Sequence, residues 1–533
     1  MQSDYLLLVL TGIAGVLLLL VIELLPGVRL WRKSLTATLL SLMTLLWVAL
    51  PSAGRWPLSV WSPSTALGGI LLWDLTPPLW GLGVVMALAL SGAAWIEAAE
   101  SRPSLPLSGP ITLAALLIAW HALAGGSLLT TLALWAVFDV LWGVAGLLAG
   151  NEGERMTFGL FVHGGATLCL WTAFLLLSRE GGGTLWWLLW PSTSVRVLLV
   201  AAAFLRMGLY PFQVVFPQRL RAGSPLTLVS LLAPLLGFGL LYRLLLLPGG
   251  AALPTGVAVM GGVSFLWGGV RALLGRGKSV LLWAGYGLLG GIAAAVTLTG
   301  LTSLLPAALA VWLLGLALLL TLRRRDVGAV FWSWPAWIAL VLLLGAPPSP
   351  LGSLFRAALA AGNWGMRLML LLGWAGSSAA LLRWTREPWE TSGAATTVTP
   401  LFAWQQLGLL AGLALPLGGI CWSLGTAAPT FSGSALALWA LMLFLTLGLC
   451  WAIPWLPGRG STSRWGSRVT EGLRAGADLV EILDLQWLHR AMLRGMGRLL
   501  SLVRVFFEVV EGSSALLWSL LVLLVILLVA MNR

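Results

Sequence analysis

A chain of 533 residues in which 59% are hydrophobic and only 9% charged is not a soluble globular protein, where the charged share is about a quarter. Its net charge of +13 does not indicate nucleic acid. The basic residues sit in connections and in the C-terminal tail, where an excess is expected at a cytoplasmic membrane surface facing the lipid bilayer. The three cysteines, Cys169, Cys421 and Cys450, are far apart in apolar segments without ligand spacing, so they are expected to be small buried hydrophobes, with no metal site and no disulfide framework.

Apolar runs of 18 or more residues recur along the whole length, the signature of a polytopic membrane protein. The first, Tyr5–Leu25, is long enough to span and no small-residue cleavage site follows it, so no cleaved signal is expected. Further spans are expected to start near Ser34, Pro78, Pro110, Leu129, Met156, Val195, Pro225, Pro254, Ser279, Leu301, Val327, Asn363, Leu401, Ser434 and Ser513, about sixteen in all at about 20 residues each. Ser52–Asp74 is too polar and turn-rich to span and reads as an external loop or hairpin. Tryptophans cluster near span ends, as at Trp186, Trp187 and Trp190, which fits anchoring at the membrane interface.

Charge alternates between connections. Odd-numbered connections carry Arg29, Arg32 and Lys33, then Arg102, Arg155, Arg219 and Arg221, Arg276 and Lys278, Arg323 to Arg325, and Arg383 and Arg386. Even-numbered ones carry only Arg55, Arg179 and Arg196. The excess of positive charge on one side predicts an external N-terminus and cytoplasmic odd connections in a prokaryotic-type inner membrane. After Trp455, an amphipathic pattern covers Arg468–Glu511, about 65 Å long if one helix. Charges along its whole length forbid spanning, so it is expected to lie along the cytoplasmic surface or against other helices, before the final span Ser513–Ala530.

Asp139 stands out because it alone among the acidic residues lies near the middle of a strongly apolar segment, Leu129–Ala149. A carboxylate at that depth costs about 2.5–3.5 kcal/mol on insertion scales unless paired or protonated, and such residues are functional candidates. A cation must be close for it to stay ionised, and Arg206, mid-segment in Val195–Pro217, is the complementary candidate. A pair of this kind that closes and separates would be a gate; the alternative is an ion pair kept for helix packing. Two segments are interrupted, at Tyr210-Pro211 and across Pro347, Pro348, Ser349, Pro350, Leu351 and Gly352. Broken helices at membrane depth are tolerated where they are buried or line a hydrated cavity, although simple proline kinks would read the same way.

The stretch FLRMGLYPFQVVFPQRLRAGSPLTLVSLL resembles the hallmark of the antiporter-like subunits of respiratory complex I (NADH-quinone oxidoreductase) and of Mrp-type cation/proton antiporters. Their pattern Lys-x-Gly-x-x-Pro-Phe-His-x-Trp-Leu-Pro, then Pro-x-x-Val-Ser, is met by Arg206, Gly208, Pro211, Phe212, Gln213, Phe216, Pro217, Pro225, Val229 and Ser230. Phe138-Asp139 stands where the family has a Trp-Glu or Phe-Glu, Asp74 resembles its acid before the third span, and Arg276-Gly277-Lys278 its Asp-Ile-Lys. Gly345, Pro347, Pro348, Gly352 and Arg356 resemble its second break. The resemblance implies an all-α fold with about 14 core helices, two half-channels and a charged axis along which protonation moves ions. A surface helix followed by one last span is most like the distal complex I subunit with its lateral helix.

The divisions expected are 1-109 for the first three spans, with the loop 52-74, and 110-400 for the core with both breaks. The remaining ones are 401-455 for the closing core helices, 456-511 for the lateral helix and 512-533 for the final span. The chain departs from the family where Lys becomes Arg206, Arg replaces Lys again at Arg356, and His becomes Gln213; Arg is a fixed charge and Gln does not titrate. Lys278, His121 and His163 are the relay candidates left, each with a structural alternative: a snorkelling lysine at a span end and two hydrogen-bonded histidines. The expected function is a subunit moving protons, or else Na⁺, beside other membrane subunits of a complex I-like or Mrp-like assembly. No nucleotide, flavin or Fe–S motif is present, so redox groups belong to partners and no cofactor is expected here. The alternatives are a scaffold whose relay has decayed and a membrane partner in ion-coupled inorganic-carbon uptake.

Overall fold

The computed structural model describes residues 2–25, 31–59, 71–99, 105–150, 153–180, 183–216, 224–247, 254–275, 277–321, 334–386, 403–426 and 433–452, with 491–492, 494–495, 497–498 and 501 in the tail. It divides into two compact units, Met1–Trp455 and Leu456–Arg533. In the second unit the few described positions are helical and exposed; the expected lateral helix and final span otherwise lie outside the described residues.

The first unit is built from helices α1 (Gln2–Leu24), α2 (Arg32–Ala49), α3 (Pro77–Ala98), α4 (Ser108–Ala124), α5 (Leu128–Leu148), α6 (Gly153–Arg179) and α7 (Thr193–Met207). These are followed by α8 (Pro225–Val229), α9 (Leu232–Leu246), α10 (Pro254–Leu274), α11 (Lys278–Thr299) and α12 (Leu305–Thr321). Then come α13 (Trp334–Leu343), α14 (Pro350–Ala361), α15 (Trp364–Arg386), α16 (Ala403–Thr426) and α17 (Gly433–Ala452). Ten segments among the described residues are long and apolar enough to cross a membrane, and the chain is a multi-pass membrane protein. Each expected span from Tyr5 to Ser434 contains a helix, with three of them interrupted. Among the described residues the exception to an all-helical fold is an antiparallel pair, β1 (Gly54–Ser59) and β2 (Leu71–Leu75), in the segment too polar to span.

The connections sort onto two faces. On one, Trp73 of β2 bridges to Gly125, Ser127 bridges to Leu185, and Arg243 at the end of α9 donates to the carbonyls of Asp74 (3.2 Å) and Leu123 (2.9 Å). That joins the second, fourth and sixth connections. On the other face, Glu23 accepts from Arg32 (2.5 Å) and from the Leu107 amide (3.1 Å), joining the first and third. Arg383 at the end of α15 donates to the carbonyls of Leu273 (2.5 Å), Ala272 (3.3 Å) and Gly275 at the end of α10.

Helices in lipid associate through close packing, and small residues let their backbones approach. The seam between α10 and α11 shows this: a Cβ on Gly268 would lie 2.4 Å from the Gly287 Cα, and one on Gly261 2.7 Å from the Gly290 carbonyl oxygen. Tryptophan supplies polar ties as well as bulk. Trp47 and Trp80 exchange indole N–H bonds to each other's carbonyls at 3.1 Å, and Trp120 donates to the Gly83 carbonyl at 2.9 Å. Interfacial anchoring therefore fits Trp190, which is exposed, but not Trp186, which is buried and donates to the Gly125 carbonyl at 3.0 Å. The cysteines also differ from expectation: Cys169 is half-buried and Cys421 faces outward from α16, as an apolar residue can where the surroundings are lipid; the Cys450 side chain lies outside the described residues.

Candidate functional site

Ser127 caps α5, accepting the Thr130 amide at 3.1 Å, and the helix then runs unbroken past Asp139. Asp139 stands about 16 Å from the Leu128 end at 1.5 Å per residue, the middle of the span. On the neighbouring α6, His163 and Thr167 are four residues apart and so share one face. Helix α7 ends at mid-depth on Gly208, whose φ of +66° suits glycine, and this leaves Arg206 in the last turn, where a cation complements the negative end of the helix dipole.

These three helices converge on one carboxylate. Arg206 donates through Nη1 to Asp139 Oδ1, His163 Nδ1 lies 3.4 Å from the same oxygen, and the Thr167 hydroxyl donates to Oδ2 at 3.0 Å. The Arg206 and His163 side chains are wholly buried and that of Asp139 is 12% exposed. The guanidinium stacks 4.6 Å from the Trp135 ring and 5.2 Å from that of Phe138, a desolvated setting in which cation–π contacts are strongest. Trp142 packs 4.3 Å from the His163 ring. Neither His163 nitrogen has a partner that meets hydrogen-bond geometry.

Trp142 also ties the cluster to a further interruption, between α8 and α9. Pro234 has no N–H, so it cannot bond the carbonyl of Ser230 one turn earlier. Trp142 Nε1 donates to that carbonyl at 3.3 Å instead. The span expected to start near Pro225 is thus interrupted: the proline releases a backbone acceptor, and an indole from α5 takes it.

The two interruptions expected from Pro211 and from Pro347 and Pro348 are present, and both Tyr210-Pro211 and Pro347-Pro348 are cis. After α7 the chain makes a short 3-10 turn, Gln213–Val215, with Gln213 buried, and the Tyr210 amide donates to Ser264 of α10 at 2.8 Å. Between α13 and α14 the Leu342 carbonyl accepts from Ser349 (2.8 Å) as well as from the Gly345 amide (3.0 Å), and the Leu344 carbonyl accepts from Trp374 Nε1 (3.2 Å).

The remaining candidates lie apart from Asp139. Arg356 is half-buried on α14 and donates to Ser353 one turn away at 2.9 Å; α14 packs on α11, α12 and α15. His121 bonds the Leu117 carbonyl on its own helix at 2.5 Å and sits edge-on to Trp73 (5.1 Å) and Tyr5 (5.6 Å), beneath the hairpin. Lys278 opens α11, and its side chain lies outside the described residues. Asp74 accepts from Arg55 at 3.1 Å within the hairpin. Helices α7 to α17 contain no Asp or Glu, and Lys33 and Lys278 are the chain's only lysines. Sequence reasoning missed Thr167, Trp135 and Trp142. The signal was available in helical spacing: 135, 138, 139 and 142 share a face of α5, as 163 and 167 do of α6.

No family model and no curated protein matches this chain. Solved structures do. A chain of the Mrp complex from Dietzia sp. DQ12-45-1b aligns over 94% of this chain and 63% of its own length, with a TM-score of 0.67 and 16% identity. This chain thus spans less than two thirds of that one. A chain of the membrane-bound sulfane sulfur reductase, an archaeal respiratory membrane complex, aligns over 98% of this chain and 99% of its own, with a TM-score of 0.66 and 14% identity. A chain of respiratory complex I from Thermus thermophilus aligns over 82% and 99%, with a TM-score of 0.61 and 19% identity. This chain thus shares its fold with a chain of each of these three complexes.

Proposed function

We propose that this chain is a proton-translocating, antiporter-like subunit within a multi-subunit membrane complex, and that the Asp139–Arg206 pair is its gate. The observation that carries the reading is the pair itself: a carboxylate at mid-span, held by a guanidinium at the end of an interrupted helix. A buried pair is a poor device for stability alone, because desolvation of both charges offsets much of their attraction. Placed beside a break, it can report a movement of the break as a change of charge. Redox groups, where the assembly has them, sit in other subunits.

The test is to purify the chain with the subunits that accompany it, reconstitute the assembly in vesicles and follow driven proton uptake. Asp139→Asn is expected to reduce uptake to background while the assembly still forms. Uptake at the wild-type rate in Asp139→Asn would sink the gate. That outcome would favour the second reading, a scaffold subunit, which the lack of Asp and Glu within helices α7 to α17 and the fixed charge of Arg206 and Arg356 also favour.

The reading includes an orientation in a prokaryotic inner membrane, with the N-terminus and the hairpin outside and the basic connections and lateral helix inside. It is supported by the sorting of even connections onto one face. In a cysteine-free background, Trp190→Cys is expected to react with an impermeant maleimide in intact cells, and Gly150→Cys only after permeabilisation. The reverse pattern would invert the topology.

A further inference from the structure

Resting on the proposed gate, we infer that His163, not Asp139, is the group that takes up the proton when Arg206 leaves the pair. Arg206 keeps its charge under all conditions, so the cluster changes protonation only on the carboxylate or on the imidazole. With the pair closed, one guanidinium and one carboxylate balance, and an imidazolium would add an uncompensated buried charge. His163 is then neutral. With Arg206 withdrawn, the carboxylate loses its counter-charge, and the imidazole 3.4 Å away is the nearest group that can supply one.

The step balances. One proton enters from water and binds an imidazole nitrogen. A carboxylate–imidazolium pair of Asp139 and His163 then replaces the carboxylate–guanidinium pair of Asp139 and Arg206, with no net charge left in the cluster. On return of Arg206 the same proton is expelled. Nδ1 already faces Asp139 Oδ1, neither ring nitrogen is committed elsewhere, and Thr167 continues to hold Oδ2. The groups facing His163 from the packed helices are few. Helix α5 brings Asp139 and the Trp142 ring, and α7 brings Arg206. The 3-10 turn Gln213–Val215, which also packs on α6, brings no titratable side chain. Arg206 is placed to move because its helix stops two residues later.

The test uses the full chain in bilayers with nitrogen-15 labelled histidine, a simple spectrum because His121, His163 and His489 are the only ones, with His163→Gln assigning the signal. At neutral pH the wild type is expected to show His163 with one protonated and one bare ring nitrogen. In Arg206→Gln, which mimics the departed state, both nitrogens are expected to be protonated, and the infrared C=O stretch of a neutral carboxylic acid is expected to be absent. In Arg206→Gln/His163→Gln that stretch should appear, and should vanish when Asp139→Asn is added. If Arg206→Gln does not fold, Arg206→Met gives the same reading with the side-chain volume retained. An imidazolium at His163 in the wild type, or a carboxylic acid stretch beside a neutral His163 in the Arg206 variant, overturns the inference. Neither result bears on whether the assembly moves protons, which the vesicle experiment decides separately.

Discussion

Asp139→Asn is expected to destabilise the fold by about 3–5 kcal/mol, because it leaves the wholly buried Arg206 guanidinium without its counter-charge. The ring faces of Trp135 and Phe138 compensate only in part, since each cation–π contact is worth about 2 kcal/mol when desolvated and is already present in the wild type. The partner variant Arg206→Gln is expected to be milder, because His163 and Thr167 remain beside the carboxylate. The double variant Asp139→Asn/Arg206→Gln removes both charges together and is expected to recover most of the loss, as neutral replacements of buried pairs do. Thermal or denaturant unfolding of the purified chain, arranged as a double-mutant cycle, measures the coupling directly. Equal stability of the wild type and both single variants would mean that the pair is not closed in the membrane. The stability loss and the loss of proton uptake are separable, since the double variant is expected to fold and still not transport.

Gly352→Ala is expected to be among the most damaging single-methyl additions in the chain, at about 3 kcal/mol, the upper end of overpacking costs. An added Cβ would lie 2.1 Å from the carbonyl oxygen of Gly345, and that oxygen belongs to backbone, not to a side chain that can turn aside. The break is held on both sides of the clash. Gly345 has a φ of +76°, Trp374 Nε1 bonds the Leu344 carbonyl, and Ser349 bonds the Leu342 carbonyl. The control is Gly418→Ala in α16, where an added Cβ meets nothing within 4 Å. Alanine there is expected to be neutral or to stabilise by about 0.5–1 kcal/mol through its helix propensity. Similar melting temperatures for the two variants would show that the α13–α14 break is not packed as described.

Much of the fold was legible because membrane physics leaves few options. A run of 20 apolar residues must satisfy its own backbone, which makes it a helix, and the charge alternation sets which ends lie together. The breaks at Pro211 and Pro347-Pro348 were legible because proline lacks the donor a helix needs. The interruption at Ser230 was harder to see, since Pro234 lies four residues beyond it and a single proline does not by itself say whether a helix kinks or stops. The rarity of charge exposed Asp139 and Arg206 as candidates. Nothing in the order of residues distinguished His163 from His121, because both are single histidines in apolar helices. One lies against a carboxylate and the other against its own backbone and a hairpin.

Composition, periodicity and charge placement by themselves determined that this chain crosses a membrane many times, two of the places where its helices break and which two charges stand out in its apolar segments. These depend on the solvent the chain faces, and solvent preference is written residue by residue. Only the tertiary structure decided that α5, α6 and α7 bring Asp139, His163, Thr167 and Arg206 to one point, that Arg356 and His121 stand elsewhere, and that Trp142 links the cluster to the α8–α9 interruption. Contacts between helices far apart in sequence depend on how side chains interlock at close range, and apolar helices of similar composition can pack in many ways.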